Sequence, residues 1–260
     1  MKAINSIILI GSGNVATQLG IALKQKGKNI LQVYSQNINH ARVLGGKLEA
    51  PHTNNIRKLY KFADLYIVCV SDSVIEPLLN TLTFNHKLVV HTSGSISMDV
   101  FNDNFQHCGV FYPFQVFSKK GRANFGNIPM MIEAKLPDDT KRLMQLAELL
   151  SDNVKEIDSE QRRWYHLAAV FACNFSNFMY MAAEEVLQKK EMDFSLLYPL
   201  IKETAKNAIK SSPAENQRGP AIREDRPVVE NHLDMLNYDK DLREIYRNLT
   251  NAIIINKHRK

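Results

Sequence analysis

The chain has 260 residues, of which 45% are hydrophobic and 23% charged, and its formal net charge is +6. These values are ordinary for a folded protein, so extensive disorder is excluded, and the length allows one well-buried domain or two modest ones. The chain has no run of Lys and Arg with interleaved aromatic residues, so we expect no nucleic-acid partner. A ligand that carries phosphate explains the excess of positive charge more simply.

The three cysteines, Cys69, Cys108 and Cys173, are odd in number and widely spaced. This spacing argues against a disulfide framework or a Cys-X-X-Cys metal site, so we expect free thiols in a reducing cytoplasm and no bound metal. No secretory signal precedes the first apolar run. The most apolar helical stretch, residues 167–183, is interrupted by polar residues and is too short for a membrane span. We therefore expect a buried core helix there and no membrane partner.

The N-terminal segment has the pattern of a strand, a glycine turn and a helix. The apolar run 7–10 is followed by Gly11-Ser12-Gly13-Asn14-Val15-Ala16 and then by an amphipathic segment. In a dinucleotide-binding βαβ unit the first glycine makes the tight turn, the second lets the backbone approach a pyrophosphate, and a small third residue packs the helix on the strand. The pattern predicts a Rossmann-type nucleotide site with contacts from residues 11–15; an ordinary glycine-containing turn is the alternative.

The end of the second predicted strand, residues 29–34, indicates which dinucleotide binds. NAD-binding units usually place Asp or Glu there to bind the ribose 2′-hydroxyl, whereas this strand ends in Ser35-Gln36-Asn37. Residues 1–63 contain one acid, Glu49, against seven lysines and two arginines. This pattern favours NADP(H), with Ser35 and Gln36 at the 2′-phosphate and His40 or Arg42 supplying charge. The alternative is that these cations form a solvated surface.

Apolar strands then alternate with helices, which predicts a parallel sheet covered on both faces. The predicted strands span residues 65–70, 87–91, 109–112, 129–132 and 154–157. Ligands of open α/β sheets bind at the carboxyl ends of the strands, where polar residues cluster in this chain. We expect cofactor contacts there from Val70, Ser71, Asp72, His91 and Thr92, with Asp72 also capping the following helix.

From residue 159 the pattern changes to long helical periodicity, over residues 162–187, 194–211, 227–236 and 240–256. The chain is therefore predicted to have an α/β fold, with an N-terminal Rossmann-type doubly wound parallel sheet, residues 1–157, and an all-α C-terminal domain, residues 158–260. The first long helix is apolar on more than one face, including Phe171, Phe175 and Phe178. A domain of this size cannot easily bury all of these side chains, so we expect a homodimer through the helical domain.

Arg223 lies in the densest charge cluster of the helical domain, residues 217–227. A Gly-Pro pair interrupts helical structure there, and the arginines around it are suited to binding a carboxylate or phosphate. We expect Arg223 to bind the substrate. The alternative is a solvated loop with internal ion pairs to Glu224 and Asp225.

Several segments occur in order along the chain: GSGNVA, ADLYIVCVSDS, VVHTSGSIS, YPFQVF, residues 172–175 and residues 219–233. Together they resemble a bacterial family of NADP oxidoreductases, and the resemblance covers nearly the whole chain. It implies a Rossmann-like NADP-binding domain joined to a helical domain like that of 6-phosphogluconate dehydrogenase. The family is similar in fold to pyrroline-5-carboxylate reductase, ketopantoate reductase and the β-hydroxyacid dehydrogenases, which implies the cofactor but no substrate.

The candidate catalytic residues follow from a departure from these relatives. Ketopantoate reductase and the β-hydroxyacid dehydrogenases carry a catalytic lysine four residues before an asparagine on the first long helix of the second domain. If Asn174 is that asparagine, Val170 occupies the lysine position. On an α-helix, His166 and Asn177 would lie within about 20° of one another, and Asn174 about 80° from His166.

We therefore expect His166 or Ser93 to supply a proton and Asn174 to orient the substrate, with Asn177 beside it. The predicted reaction is hydride transfer between the nicotinamide and a small carbonyl or imine compound, in a cleft between the two domains. A nucleotide-binding sensor or interaction protein on the same fold is the alternative, because the lysine is missing. A methyltransferase that uses S-adenosylmethionine is a weaker third reading.

Overall fold

The computed structural model describes residues 3–84 and 86–259. Contacts divide the chain into two compact units, Met1–Cys173 and Asn174–Lys260. The predicted boundary at residue 157 differs from this division by contacts, and it stays a prediction. The two units are described separately below.

The first unit is built on an eight-stranded sheet in the order β3-β2-β1-β4-β5-β6-β7-β8. The described strands are β1 Ser6–Ile10, β2 Asn29–Tyr34, β3 His52–Thr53, β4 Leu65–Val68, β5 Leu88–His91, β6 Cys108–Pro113, β7 Met130–Ala134 and β8 Val154–Glu156. Apolar residues on both faces of the central strands enter two separate buried clusters. Such continuous apolar strands require covering on both sides, and the predicted fold class, a Rossmann-like sheet followed by helices, is confirmed.

One pair of strands departs from the predicted parallel arrangement. β6 and β7 pair antiparallel, while the other six neighbouring pairs are parallel. The connection of residues 114–129 contains only a single 3₁₀ turn, Phe125–Asn127, in place of a crossover helix. Because parallel neighbours need a crossover that carries the chain back along the sheet, this short connection reverses the strand direction.

Five helices belong to the first unit: α1 Asn14–Gln25, α2 Ile38–Leu48, α3 Asp72–Leu79, α4 Pro137–Glu148 and α5 Ser159–Ala169. The start of α5 is fixed by a capping box, in which the Asp158 side chain accepts from the Gln161 backbone N–H and the Gln161 side chain accepts from the Asp158 backbone N–H. Satisfying two end groups at once defines where the helix begins. This start determines which α5 side chains face β6 and the β5–β6 loop.

The helix that begins as α5 passes through a π-helical segment, Val170–Phe175, into α6, Ser176–Gln188. A π-helix has i→i+5 hydrogen bonds, so the rotation of about 100° per residue does not hold across it. The angles predicted between His166, Asn174 and Asn177 assumed an uninterrupted α-helix and are therefore wrong.

The second unit continues with α7 Tyr198–Lys210, α8 Pro220–Arg223, α9 Arg226–Met235 and α10 Lys240–His258. The stretch 167–183 is not buried in the single chain, contrary to prediction: Phe171 is 62% exposed, and Phe175 and Phe178 are also exposed. None of the described helices is both long and apolar enough to cross a membrane. All three cysteines are free thiols.

Candidate active site

The glycine turn between β1 and α1 is closed on one side and open on the other. Gly11 has φ +130°, and a Cβ there would lie 2.1 Å from the Cys69 carbonyl oxygen of the neighbouring chain segment. Its N–H donates to the Tyr34 carbonyl at 2.8 Å. By contrast, no atom lies within 4 Å of the place where a Cβ on Gly13 would be. The turn is thus held against β2 and β4 while its outer side leaves room for a ligand.

The start of α1 fits a pyrophosphate. No side chain caps the helix at Gly13, and its first turn contains no acid. Uncapped N–H groups at the positive end of a helix are suited to binding an anion. The Asn14 amide donates instead to the Phe117 carbonyl at 2.7 Å, and Val15 packs against the core. The backbone N–H groups of Asn14 and Val15 stay available at the start of the helix, and the predicted contacts of these residues with a cofactor stay a prediction.

The predicted 2′-phosphate residues lie at the ends of β1 and β2. The Ser12 hydroxyl donates to the Ser35 hydroxyl oxygen at 2.8 Å, so Ser35 is beside the glycine turn. Gln36 and Arg42 are exposed. Because no carboxylate occupies the end of β2, a phosphate group meets no like charge there. These residues fit NADP(H).

Asp72 is not a helix cap, contrary to prediction. Ser71 is the N-cap of α3, and Asp72 is its first residue. The Asp72 carboxylate accepts a hydrogen bond from the Ser95 hydroxyl. It therefore joins the start of α3 to the loop that follows β5.

The hydroxyl of Ser93 is used within that same loop. It accepts from the backbone N–H groups of Ser95 and Ile96, at 3.2 and 3.1 Å, and lies 3.4 Å from the Ser95 hydroxyl. Since the Ser95 hydroxyl donates its hydrogen bond to Asp72, the Ser93 hydroxyl is left to donate to the Ser95 oxygen. Ser93 thus shapes the loop, and its role as a proton source stays a prediction.

His91 and Thr92 direct their side chains into the protein. The His91 imidazole has no exposed surface, stacks on Phe101 with 5.7 Å between ring centroids, and accepts from the Ser93 N–H at Nδ1. The pKa of His91 is lowered to about 3, mainly by burial and also by the nearby Arg162 cation, so the ring is neutral near pH 7. The Thr92 hydroxyl donates to the Val68 carbonyl at 3.4 Å. Both side chains are therefore hydrogen-bonded within the protein, and the predicted cofactor contacts of the two residues stay a prediction.

The structure brings His166 together with Tyr112, a residue that the sequence analysis did not include in the site. The Tyr112 hydroxyl at the end of β6 lies 3.3 Å from Nδ1 of His166 on α5. Both pack over Gly94, where a Cβ would lie 2.6 Å from His166 Nδ1 and 2.7 Å from the Tyr112 hydroxyl. The sequence signal for Tyr112 was its position directly after the apolar part of the sixth strand. Its partner His166 is 54 residues away in the chain, so the sequence pattern did not indicate their contact.

The charge state of Tyr112 follows from its surroundings. The pKa of Tyr112 is raised to about 12, mainly by burial and also by the Asp72 carboxylate, while the Arg162 cation opposes the rise. The hydroxyl therefore stays protonated near pH 7. A phenol can accept a hydrogen bond from Nδ1–H of an imidazolium or donate one to Nδ1 of a neutral ring. Tyr112 can thus hold His166 in both protonation states.

The remaining predicted residues lie in the second unit. Asn174 and Asn177 are exposed, and Asn177 contacts the sulfur of Met181 at 3.8 Å. Their relation to His166, and with it the predicted cleft, stays a prediction.

Arg223 is also exposed. Glu224 pairs with Lys257 at 2.8 Å, and Asp225 caps α9 by accepting from the Val228 N–H. Among the described residues these acids form no ion pair with the arginines of the loop, so the alternative of internal pairing is wrong.

Comparison with known families matches two parts of the chain. Residues 6–94 match the family described as "NADP oxidoreductase coenzyme F420-dependent", and residues 128–253 match a "Domain of unknown function (DUF2520)". No match was found among curated proteins.

Solved structures extend the likeness over the whole chain. A "putative NADP oxidoreductase" from Bacteroides fragilis is 44% identical with a TM-score of 0.92, over 96% of this chain and 98% of that one. An imine reductase from Myxococcus stipitatus in complex with NADP+ is 14% identical with a TM-score of 0.67, over 98% and 93% of the chains. A 1-pyrroline-5-carboxylate reductase from Streptococcus pyogenes is 13% identical with a TM-score of 0.59, over 96% and 98%.

The last two likenesses show the fold alone. The first, over nearly the full length of both chains, agrees with the resemblance seen in the sequence and with the predicted cofactor, NADP(H). The chain therefore belongs to the family of NADP oxidoreductases that join an F420-dependent-type NADP domain to a DUF2520 domain.

Proposed function

We propose that the protein is an NADP(H)-dependent reductase that transfers a hydride between the nicotinamide and a small carbonyl or imine compound. The observation that carries this proposal is the contact of Tyr112, His166 and Gly94 near the carboxyl ends of β5 and β6, in a chain of the NADP oxidoreductase family. In open α/β sheets this edge is where ligands bind. A histidine there is suited to general acid–base catalysis.

The first unit supplies the residues that would hold NADP(H). Gly11, Ser12 and Gly13, with the N–H groups that open α1, would hold the pyrophosphate, and Ser35 and Arg42 would hold the 2′-phosphate. Bound NADPH supplies the hydride. The Ser12–Ser35 hydrogen bond joins the two phosphate sites and supports this assignment.

His166 supplies the proton that balances the reaction. In its protonated form, Nδ1–H donates to the Tyr112 oxygen and Nε2–H is left for the substrate. As a hydride adds to the carbon of the C=O or C=N bond, the proton on Nε2 passes to the oxygen or nitrogen, which gives an alcohol or an amine. The Tyr112 hydroxyl then donates to the neutral Nδ1, so the ring keeps its orientation through the transfer.

The second unit would contribute substrate contacts. Asn174 orients the carbonyl or imine, Asn177 assists, and Arg223 binds an anionic group of the substrate; the absence of ion pairs between Arg223 and the acids beside it supports this role. The chain forms a homodimer through the exposed aromatic side chains of its π-helical segment and α6, and acts in the cytoplasm, where its free thiols stay reduced. Light scattering tests the assembly: a monomer at micromolar concentration would contradict it.

A non-catalytic NADP sensor is the second candidate, because Val170 occupies the position of the lysine in related dehydrogenases. The two candidates are separated by following NADPH absorbance with a panel of 2-oxo acids and cyclic imines, with NADPH affinity measured by calorimetry on the same protein. We expect at least one compound to be reduced. If NADPH binds tightly and no compound in the panel is reduced, the sensor replaces the enzyme.

A further inference from the structure

We propose that Arg162 is a positioning residue, whose buried ion pair with Glu133 fixes α5 against the β5–β6 loop and so sets His166 beside Tyr112. This inference rests on the proposed function for its significance, since it concerns the proposed proton donor. All the contacts of Arg162, Tyr112 and His166 on which it rests lie within the first unit.

Arg162 is the largest fully buried side chain of the described residues. One of its terminal nitrogens donates to the Glu133 carboxylate at 2.5 Å, and the other donates to the Ile96 carbonyl at 2.7 Å and to the Ser159 hydroxyl at 3.0 Å. A buried charge without such partners would be strongly destabilising. The guanidinium therefore ties α5 to β7 and to the β5–β6 loop at the same time.

Ser159 completes the same network. Its hydroxyl donates to the Glu133 carboxylate at 2.7 Å and accepts from the Met98 N–H at 2.8 Å. The β5–β6 loop is thus fixed to α5 at two points, Ile96 through Arg162 and Met98 through Ser159. Both attachments lie within four residues of Gly94.

The spacing along α5 carries this restraint to His166. Arg162 and His166 are four residues apart within the regular part of the helix, so they lie on the same face. Gly94, two residues before Ile96, is the backbone on which His166 and Tyr112 both pack. A small shift of α5 relative to the loop would therefore lengthen the 3.3 Å contact between His166 and Tyr112 or force His166 into Gly94.

The choice of arginine supports positioning rather than stability alone. Apolar replacements of buried ion pairs are often as stable as the pair itself, so stability does not by itself explain a buried arginine. A guanidinium holds partners in two fixed directions, which the single ammonium of lysine cannot reproduce. Two directions are what is needed to fix one helix against both a strand and a loop.

The test compares Arg162→Lys with Arg163→Lys, a matched control at an exposed neighbouring arginine. Each variant is examined without ligand by NMR for the nuclear Overhauser contact between the Tyr112 and His166 rings, and with NADPH and 1-pyrroline or 2-oxobutanoate for kcat and KM. For Arg162→Lys we expect loss of the ring contact and a fall in kcat of up to about a hundredfold, with NADPH affinity unchanged. Arg163→Lys should resemble the unaltered protein.

A folded Arg162→Lys protein that keeps the ring contact would overturn the inference. If Arg162→Lys does not fold, Ser159→Ala, which keeps both charges, takes its place: a weakened ring contact supports positioning, and an unchanged one refutes it. The NMR result requires no turnover, so it is independent of the proposed function. If the unaltered protein reduces no compound, the proposed function fails while the positioning role is still decided.

Discussion

The two ends of the proposed site are built in different ways. At the glycine turn the backbone forms the site: Gly11 passes close to Cys69, and no side chain caps the first N–H groups of α1. At the edge of β6, side chains form the site, since Tyr112 and His166 meet over Gly94 under the restraint of Arg162. The first arrangement is contained in six consecutive residues, whereas the second joins elements far apart in the chain.

This difference decides which changes each end tolerates. A site made of backbone depends on conformation, so it fails when an added side chain cannot fit. A site made of side chains depends on their chemistry and on whatever positions them. The predictions below test this comparison, from the largest expected effect to the smallest.

Gly11→Ala should give the largest effect. A Cβ at residue 11 would lie 2.1 Å from the Cys69 carbonyl oxygen, at a φ of +130°. The backbone strain alone costs about 1–3 kcal/mol, and the contact with backbone atoms adds to it. We expect little folded protein, measured by urea unfolding.

Gly13→Ala is the matched control, because open space surrounds that position. It should fold normally and lose NADPH affinity on the order of tenfold, or about 1.4 kcal/mol. Equal stability of the two variants would contradict the assignment of a backbone-formed site.

His166→Gln should lower kcat by about a hundredfold or more, because it removes the proposed general acid. NADPH affinity, measured by calorimetry, should not change, since the cofactor contacts come from the other end of the site. Tyr112→Phe should give a smaller loss, because the imidazole remains but loses the partner that orients it. Unchanged kcat in His166→Gln would contradict the proposal that His166 supplies the proton.

Ser35→Asp should weaken NADPH binding by about 10- to 100-fold, because a carboxylate at the end of β2 repels the 2′-phosphate and a charge-assisted hydrogen bond is lost. The same carboxylate can accept from a ribose hydroxyl, so NADH affinity should be kept or increased. Comparable affinities of the unaltered protein for both cofactors would argue against Ser35 as the residue that selects NADP(H).

The last effect, that of His91, is absent near pH 7 and appears only as the pH falls. Its pKa is lowered to about 3 in the folded chain, so the unfolded chain binds a proton at higher pH. Its contribution to stability is therefore complete above about pH 6.5 and is lost as the pH falls toward 3, by at most about 1.4 kcal/mol per pH unit. The free energy of unfolding, measured with urea between pH 7 and 4, should change less with pH in His91→Asn than in the unaltered protein. His40→Asn, at an exposed histidine, is the control. If the pH dependence of the free energy of unfolding changes equally in the two variants, this prediction is wrong.

The elements best predicted from sequence are those specified by local patterns. Strand β2 was predicted over residues 29–34, as found, because most of its residues are apolar or aromatic and a polar turn ends it. The reversal of β7 was missed, since a buried strand has the same apolar pattern whether it runs parallel or antiparallel. The π-helical segment was missed because its composition matches an α-helix, and the angles drawn through it were wrong as a result.

For the candidate site, the glycine turn was predictable because turn, strand and helix are adjacent in sequence. The contact between Tyr112 and His166 was not, because it depends on how α5 packs against the sheet. The orientation of the His91 and Thr92 side chains could not be predicted either, and their cofactor contacts stay a prediction. A polar residue at a strand end can face a ligand or the interior, and here both face the interior.

At Gly94 the addition of a single methyl group is expected to abolish turnover. Its φ is not in the left-handed region, so alanine there strains no backbone, and the three atoms nearest to the added methyl group belong to the ends of the His166 and Tyr112 side chains. Both rings can turn away while the fold survives. A Gly94→Ala protein would then bind NADPH and substrate together without consuming them. Such an inert but intact complex is a means of trapping the unknown substrate from a cell extract for identification by mass spectrometry.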